Sequence, residues 1–171
     1  MNQETSRLIE VVNLSKSYCE LCESVSEYTK SEFVDRALDL LPRIYWHFFD
    51  LSAGVSLGES DYFSDYVDET IYDQIRGSIA AKLGGEDTFL DTFEEDMKYS
   101  DTPITSSISE CMADLYQPLF NFVSIVHDSE GAQMHEAFVS CKEDFESYWS
   151  QTLCNALKAL NNVKYKGEEE I

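Results

Sequence analysis

A cysteine pair, a Gly/Ser loop and several close carboxylate pairs are the groupings in this chain whose residue types and spacing could do chemistry. Cys19-Glu20-Leu21-Cys22 is a C-x-x-C. Redox work at such a pair needs a thiolate stabilised by a helix N-terminus or a nearby cation. Here the pair falls within a helical pattern beside Glu20 and Glu23, which push a thiol pKa upward. A structural zinc needs four ligands, and no second C-x-x-C or paired histidines complete the set. The spacing puts Cys22 on an apolar stripe and Cys19 at its edge, so both are expected as core thiols. Gly54-Val55-Ser56-Leu57-Gly58 matches G-x-S-x-G, but that nucleophile works only on a strand-to-helix turn above a parallel sheet. An aromatic helical segment precedes it and an acidic stretch follows, so it reads as a flexible loop. His47, His127 and His135 fit no metal spacing. His135-Glu136 opens like H-E-x-x-H, yet Val139 stands where the second His belongs.

The carboxylates offer more. Glu20-x-x-Glu23, Glu32-x-x-Asp35 and Glu143-x-x-Glu146 each place two acids on one helix face. Facing acidic helices can hold hydrated Mg²⁺ or Mn²⁺ against a substrate's phosphates. That logic resembles the all-α nucleotide pyrophosphohydrolases, and it defines one alternative. The chain would be a Mg- or Mn-dependent all-α hydrolase of phosphorylated small molecules, with Glu20, Glu23, Glu32 and Asp35 as ligands. The first two pairs are spaced more tightly than in that family. With 33 acids in 171 residues, such pairs also arise by chance.

Charge is the least ordinary property. Twelve Lys and Arg face 33 Asp and Glu, a net charge of −21. Such a surface repels phosphate backbones and anionic lipid, so neither nucleic acid nor membrane is an expected partner. Residues 44–75 carry seven acids and residues 99–141 carry six, with no Lys or Arg in either stretch. From Glu59 to Glu69 acids alternate with aromatics. An acidic surface with aromatic anchors can steer and then hold a basic protein. The contact surface expected on this ground is Asp61, Tyr62, Phe63, Asp65, Tyr66, Asp68 and Glu69. The leading expectation is therefore a non-enzymatic interaction protein that binds another protein, charge favouring a basic one. No cofactor and no catalytic residue are expected. Five cysteines and no secretory signal fit a cytoplasmic protein with reduced thiols.

The elements that must position these groups follow from apolar period. Leu8, Val11, Ser15, Tyr18, Cys22 and Val25 recur every three or four residues, one face of a long helix. Thr29 and Glu32 form a capping box for a second helix carrying Phe33, Ala37, Leu41, Ile44 and Phe48. Asp68 caps a third, with Ile71, Ile75, Ile79 and Leu83 on its stripe and Gly84-Gly85 as its stop. Gly77 inside it costs about 1 kcal/mol relative to Ala, which suggests close packing on another helix. A short helix is expected through Phe89, Phe93 and Met97. Thr102 and Pro103 then read as N-cap and first residue of a helix carrying Ile104, Ile108, Cys111, Leu115, Leu119 and Phe122. One last helix runs from Met134 past Phe138, Cys141 and Phe145, through Tyr148 or Trp149, to Leu160. Pro42 and Pro118 fall inside helices, where a kink or restart is expected. No sustained period-2 alternation appears. The fold class is all-α, a single-domain bundle of five to six helices over 1–163 with a polar, flexible tail at 164–171.

Particular runs of residues carry a family resemblance. Tyr99-Ser100-Asp101-Thr102-Pro103-Ile104 and Ser107 through Tyr116 resemble a bacterial family of small acidic all-helical proteins, the domain of unknown function numbered five-zero-six-three. Cys141 through Trp149, Asn155 through Leu160 and Leu40-Leu41-Pro42 fit the same family. The likeness covers most of the chain and is best over 97–160. It implies an all-helical bacterial protein without an assigned activity, and it supplies no catalytic residues.

Overall fold

A computed structural model of the chain describes residues 2–52, 63, 65–91 and 104–166. Helix α1 (Gln3–Glu23) begins at Asn2, whose side chain accepts the Thr5 N–H at 2.7 Å. It buries Leu8, Val11, Ser15, Tyr18 and Cys22, the expected stripe, and Cys19 besides. Helix α2 (Lys30–Asp50) starts at the Thr29–Glu32 capping box, with both reciprocal bonds at 3.2 Å. Helix α3 (Glu69–Leu83) is capped by Asp68, which accepts the Ile71 N–H at 2.8 Å. It stops at Gly84, whose φ of 60° is one that residues with a Cβ adopt at a cost.

Two expectations fail after α3. Phe89 lies not on a helix but on strand β1 (Thr88–Asp91), which pairs antiparallel with β2 (Ile104–Ser107), Thr88 opposite Ser107. The next helix, α4 (Ile108–Asp128), therefore starts at Ser107 rather than Thr102, and Ile104 is a strand residue. Ser107 accepts the Glu110 N–H at 3.2 Å and so caps as Thr102 was expected to. Residues 92–103, including Phe93, Met97, Thr102 and Pro103, lie outside the described residues.

The sheet has a positional consequence. Its register brings Asp87, at the end of the 3₁₀ turn Gly84–Asp87, onto the start of α4. Asp87 is buried and accepts the Ser109 N–H at 2.7 Å and its hydroxyl at 2.6 Å. A helix N-terminus has orphan N–H groups and a positive end, so a carboxylate there is stabilising.

Helix α5 (Met134–Asp144) continues through a π turn (Phe145–Trp149) into α6 (Ser150–Lys166). The expected single last helix is thus one rod with an inserted residue. The insertion decides between Tyr148 and Trp149: Trp149 is fully buried and Tyr148 is 46% exposed. Both α2 and α4 run unbroken through Pro42 and Pro118, so neither restarts. Lys164–Lys166, expected in a tail, are still helical, while residues 167–171 are not described.

Helices α1, α2, α6 and α4 contact one another in a closed ring, and α3 packs against α4. One end of the ring is filled by Phe48, Phe122, Phe138, Phe145 and Trp149, with ring centroids 4.7–6.2 Å apart. No described helix is long and apolar enough to cross a membrane.

Among the described residues a Cβ built at Gly77 meets no atom within 4 Å, so none of them makes the close approach that its cost suggested. Gly77→Ala is therefore expected to stabilise the fold by about 0.5–1 kcal/mol. For a chain of this size that raises Tm by roughly 1–4 °C in a thermal melt.

Candidate functional site

The expected contact surface divides in two. Asp61 and Tyr62 lie outside the described residues. Phe63 and Tyr66 are partly buried against the protein's own core. The Tyr66 hydroxyl donates to Asp128 at 2.7 Å, which raises its pKa, and its backbone N–H donates to Asn121 at 2.8 Å. Tyr66 therefore ties the segment before α3 onto α4. Asp65, Asp68 and Glu69 face solvent, and Asp68 is occupied as the α3 cap.

Side by side, α3 and α4 extend this into an acidic face. Glu69 and Asp73 on α3, with Glu110 and Asp128 on α4, are exposed. Helix α4 contains no Lys or Arg, whereas Arg76 and Lys82 lie on α3. Between the helices the Tyr72 hydroxyl donates to Asp114 at 2.8 Å. Partial burial raises the Asp114 pKa against the opposing Tyr72 hydrogen bond, with a smaller push from Glu110. Burial, then Asp114 and Glu110, raise that of Tyr72, against a smaller opposing pull from Arg76. For Asp114 the linkage sign is that of a raised acid. Its contribution to stability is fully present below the unfolded-state pKa and is lost as pH rises through the higher folded-state value.

The four carboxylates of the metal alternative do not converge. Glu20, Glu32 and Asp35 line one cavity of about 530 Å³ between α1 and α2, together with Tyr28, Arg36 and Asp39. Glu23 is elsewhere, accepting the Tyr116 hydroxyl at 2.9 Å. Glu32 is engaged in its capping box and Asp35 pairs with Lys164. Among the described residues no group of three or more His, Cys, Asp or Glu is placed to hold a metal ion. Glu143 and Glu146, the third pair, are both exposed, on α5 and on the π turn.

Cys19 and Cys22 are both buried, and Cys22 packs beside Tyr18, whose hydroxyl donates to the Met112 carbonyl at 2.7 Å. Burial pushes the Cys22 thiol up to about 12 and raises Cys19 well above the usual thiol range. A neutral, enclosed thiol is a poor nucleophile and a poor metal ligand. The pair is core, as its stripe position implied. Gly54 to Gly58 lie outside the described residues.

The model of a domain of unknown function, DUF5063, matches residues 2–166 of this chain. The chain belongs to the DUF5063 family. The chain also superimposes on the crystal structure of protein BF1032 from Bacteroides fragilis, with a TM-score of 0.81 and 27% identity. That match covers 96% of each chain. No curated protein matches.

On this DUF5063 fold one feature escaped the sequence reading. Near its C-terminus α2 exposes Trp46 by 54% and Phe49 by 66%, with Tyr45 at their side. The Tyr45 and Phe49 rings stack at 6.3 Å, and Trp46 meets His47 edge-on at 5.0 Å. In the sequence these aromatics are easily passed over because the core residues Ile44 and Phe48 stand beside them. The signal that separates them is helical phase, since Tyr45, Trp46 and Phe49 fall off the stripe set by Phe33, Ala37, Leu41, Ile44 and Phe48.

Proposed function

We propose that this chain is a non-enzymatic interaction module of the bacterial cytoplasm that binds a basic protein, with the α3/α4 face as its acidic contact surface. The observation that carries this reading is the exposed row of Glu69, Asp73, Glu110 and Asp128 on two adjacent helices, one of which has no Lys or Arg. Exposed acids on neighbouring helices are useful in raising the encounter rate with a cation, although one of them, Asp73, also pairs with Arg76 at 3.8 Å. Asp65 and Glu69 of the expected surface belong to this face, and Asp61 and Tyr62 adjoin it in sequence. Tyr66 acts within it as a positioning residue, holding the acidic segment against α4.

The test is capture from a lysate with the full chain as bait, washed at increasing ionic strength. A partner of high isoelectric point should be retained at ~50 mM salt and released by ~200 mM, because screening shortens the reach of surface charge over that range. Retention of only acidic or neutral proteins, or a partner indifferent to salt, contradicts the reading.

A further inference from the structure

Helix α3 stands outside the four-helix ring and lies against α4. Two polar ties from its N-terminal half to α4 end on carboxylates. Tyr66, just before the helix, donates to Asp128, and Tyr72 donates to Asp114 at 2.8 Å. The two acceptors differ in setting: Asp128 is exposed, whereas Asp114 is half-buried where α3, α4 and the π turn meet. Titratable and charged groups face Asp114 from each of these elements. On α4 itself Glu110 stands one turn earlier and repels it. Helix α3 brings the Tyr72 hydroxyl and, one turn on, Arg76, which pairs with Asp73 at 3.8 Å. The π turn brings Tyr148, whose hydroxyl burial, Asp144 of α5 and Asp114 together push up to about 12. Among the described residues no ion pair includes Asp114. Ionising a carboxylate in such a place costs desolvation and repulsion, which one hydroxyl bond offsets only in part.

We infer that Asp114 is a pH-operated latch: protonating it fastens α3 to α4, and ionising it at neutral pH loosens that helix. Neutral Asp114 keeps an oxygen for the Tyr72 hydroxyl and gains an O–H donor, while its repulsion with Glu110 disappears. Partial burial holds the Asp114 pKa above its ordinary value, the direction that the latch requires. The fastening is therefore complete in acid and fades as pH climbs through the folded-state pKa. The loosening is local, because a helix outside the ring can open without unpacking the ring. Glu69 and Asp73 ride on α3, so the latch also sets how firmly that half of the acidic face is presented. That consequence rests on the interaction reading. The latch itself does not, and failure to capture a basic partner would leave it standing.

Backbone hydrogen exchange, read residue by residue and corrected for intrinsic rates, tests the latch on the full chain without a partner. From ~pH 7 to ~pH 4.5 the protection of Ile75 and Ile79 on α3 should rise about threefold more than that of Ala37 and Leu41 on α2. Asp114→Asn is neutral and retains the acceptor oxygen. It should give the higher α3 protection already at ~pH 7 and abolish the α3-specific rise. Carboxyl-carbon NMR supplies a second readout. Glu110→Gln should lower the Asp114 titration midpoint, since it removes a like charge, and Tyr72→Phe should raise it, since it removes a donor to the carboxylate. An equal rise on α2 and α3 would be general relief of the −21 charge and overturns the latch. An α3-specific rise that persists in Asp114→Asn belongs to another group and overturns it as well.

Discussion

Trp149→Ala should lower stability by about 4 kcal/mol, the largest loss expected from one substitution in this chain. Three separate causes add. The side chain is fully enclosed, so truncation opens a cavity that the rigid ring of helices cannot close. Its ring meets Phe48 at 4.9 Å and Phe145 at 4.7 Å, both edge to face, and those contacts vanish. Its indole N–H donates to the Cys141 carbonyl at 3.1 Å, across the place where the π turn disturbs the helical ladder. For a chain of this size the loss corresponds to a fall in Tm of roughly 8–16 °C. Trp149→Phe keeps most of the ring and forfeits the hydrogen bond, so about 1–2 kcal/mol is expected. Urea titration followed by circular dichroism measures both, and a loss below 1 kcal/mol for the alanine variant would contradict this picture of the core.

Asp87→Ala should cost about 2–3 kcal/mol, unusual for a residue in a short turn. The carboxylate satisfies a backbone N–H and a hydroxyl of Ser109 at once, both buried. Removing it takes the carboxylate from the buried Ser109 N–H, leaves the Ser109 hydroxyl only the Ser107 hydroxyl at 3.3 Å, and withdraws a negative charge from a helix N-terminus. Ser109→Ala removes the hydroxyl bond and leaves the N–H bond, so it should cost about 1 kcal/mol. The double variant should cost less than the sum, since the two residues share one interaction. Additive losses in a denaturant titration would show that Asp87 does not act through Ser109.

Helices with strong local signals were legible in the sequence: the Thr29–Glu32 box, the Asp68 cap and the Gly84 stop all stand where their residue types require. The strand pair was not. Four-residue strands are too short to show alternation, and pairing Thr88 with Ser107 depends on contacts distant in sequence. Thr102-Pro103 carries a good start signal, but Ser107 has an equally competent hydroxyl, and tertiary pairing decides between them. The π turn was equally hidden, because Tyr148 and Trp149 are both apolar enough for the stripe and only packing around Phe48 favours the larger ring. Acid spacing placed Glu20, Glu32 and Asp35 along one groove but could not show that Glu23 turns toward Tyr116. Exposed aromatics on α2 were masked by core neighbours one residue away.

The most direct test of the acidic-module account is the association rate of the chain with its captured basic partner, followed by stopped flow across ionic strength. Steering by the α3/α4 face predicts a fall of roughly tenfold between ~50 and ~200 mM salt. A Glu69→Gln, Asp73→Asn, Glu110→Gln variant should associate more slowly at low salt and respond less to added salt. A rate that is flat in salt and equal in the two proteins would contradict it.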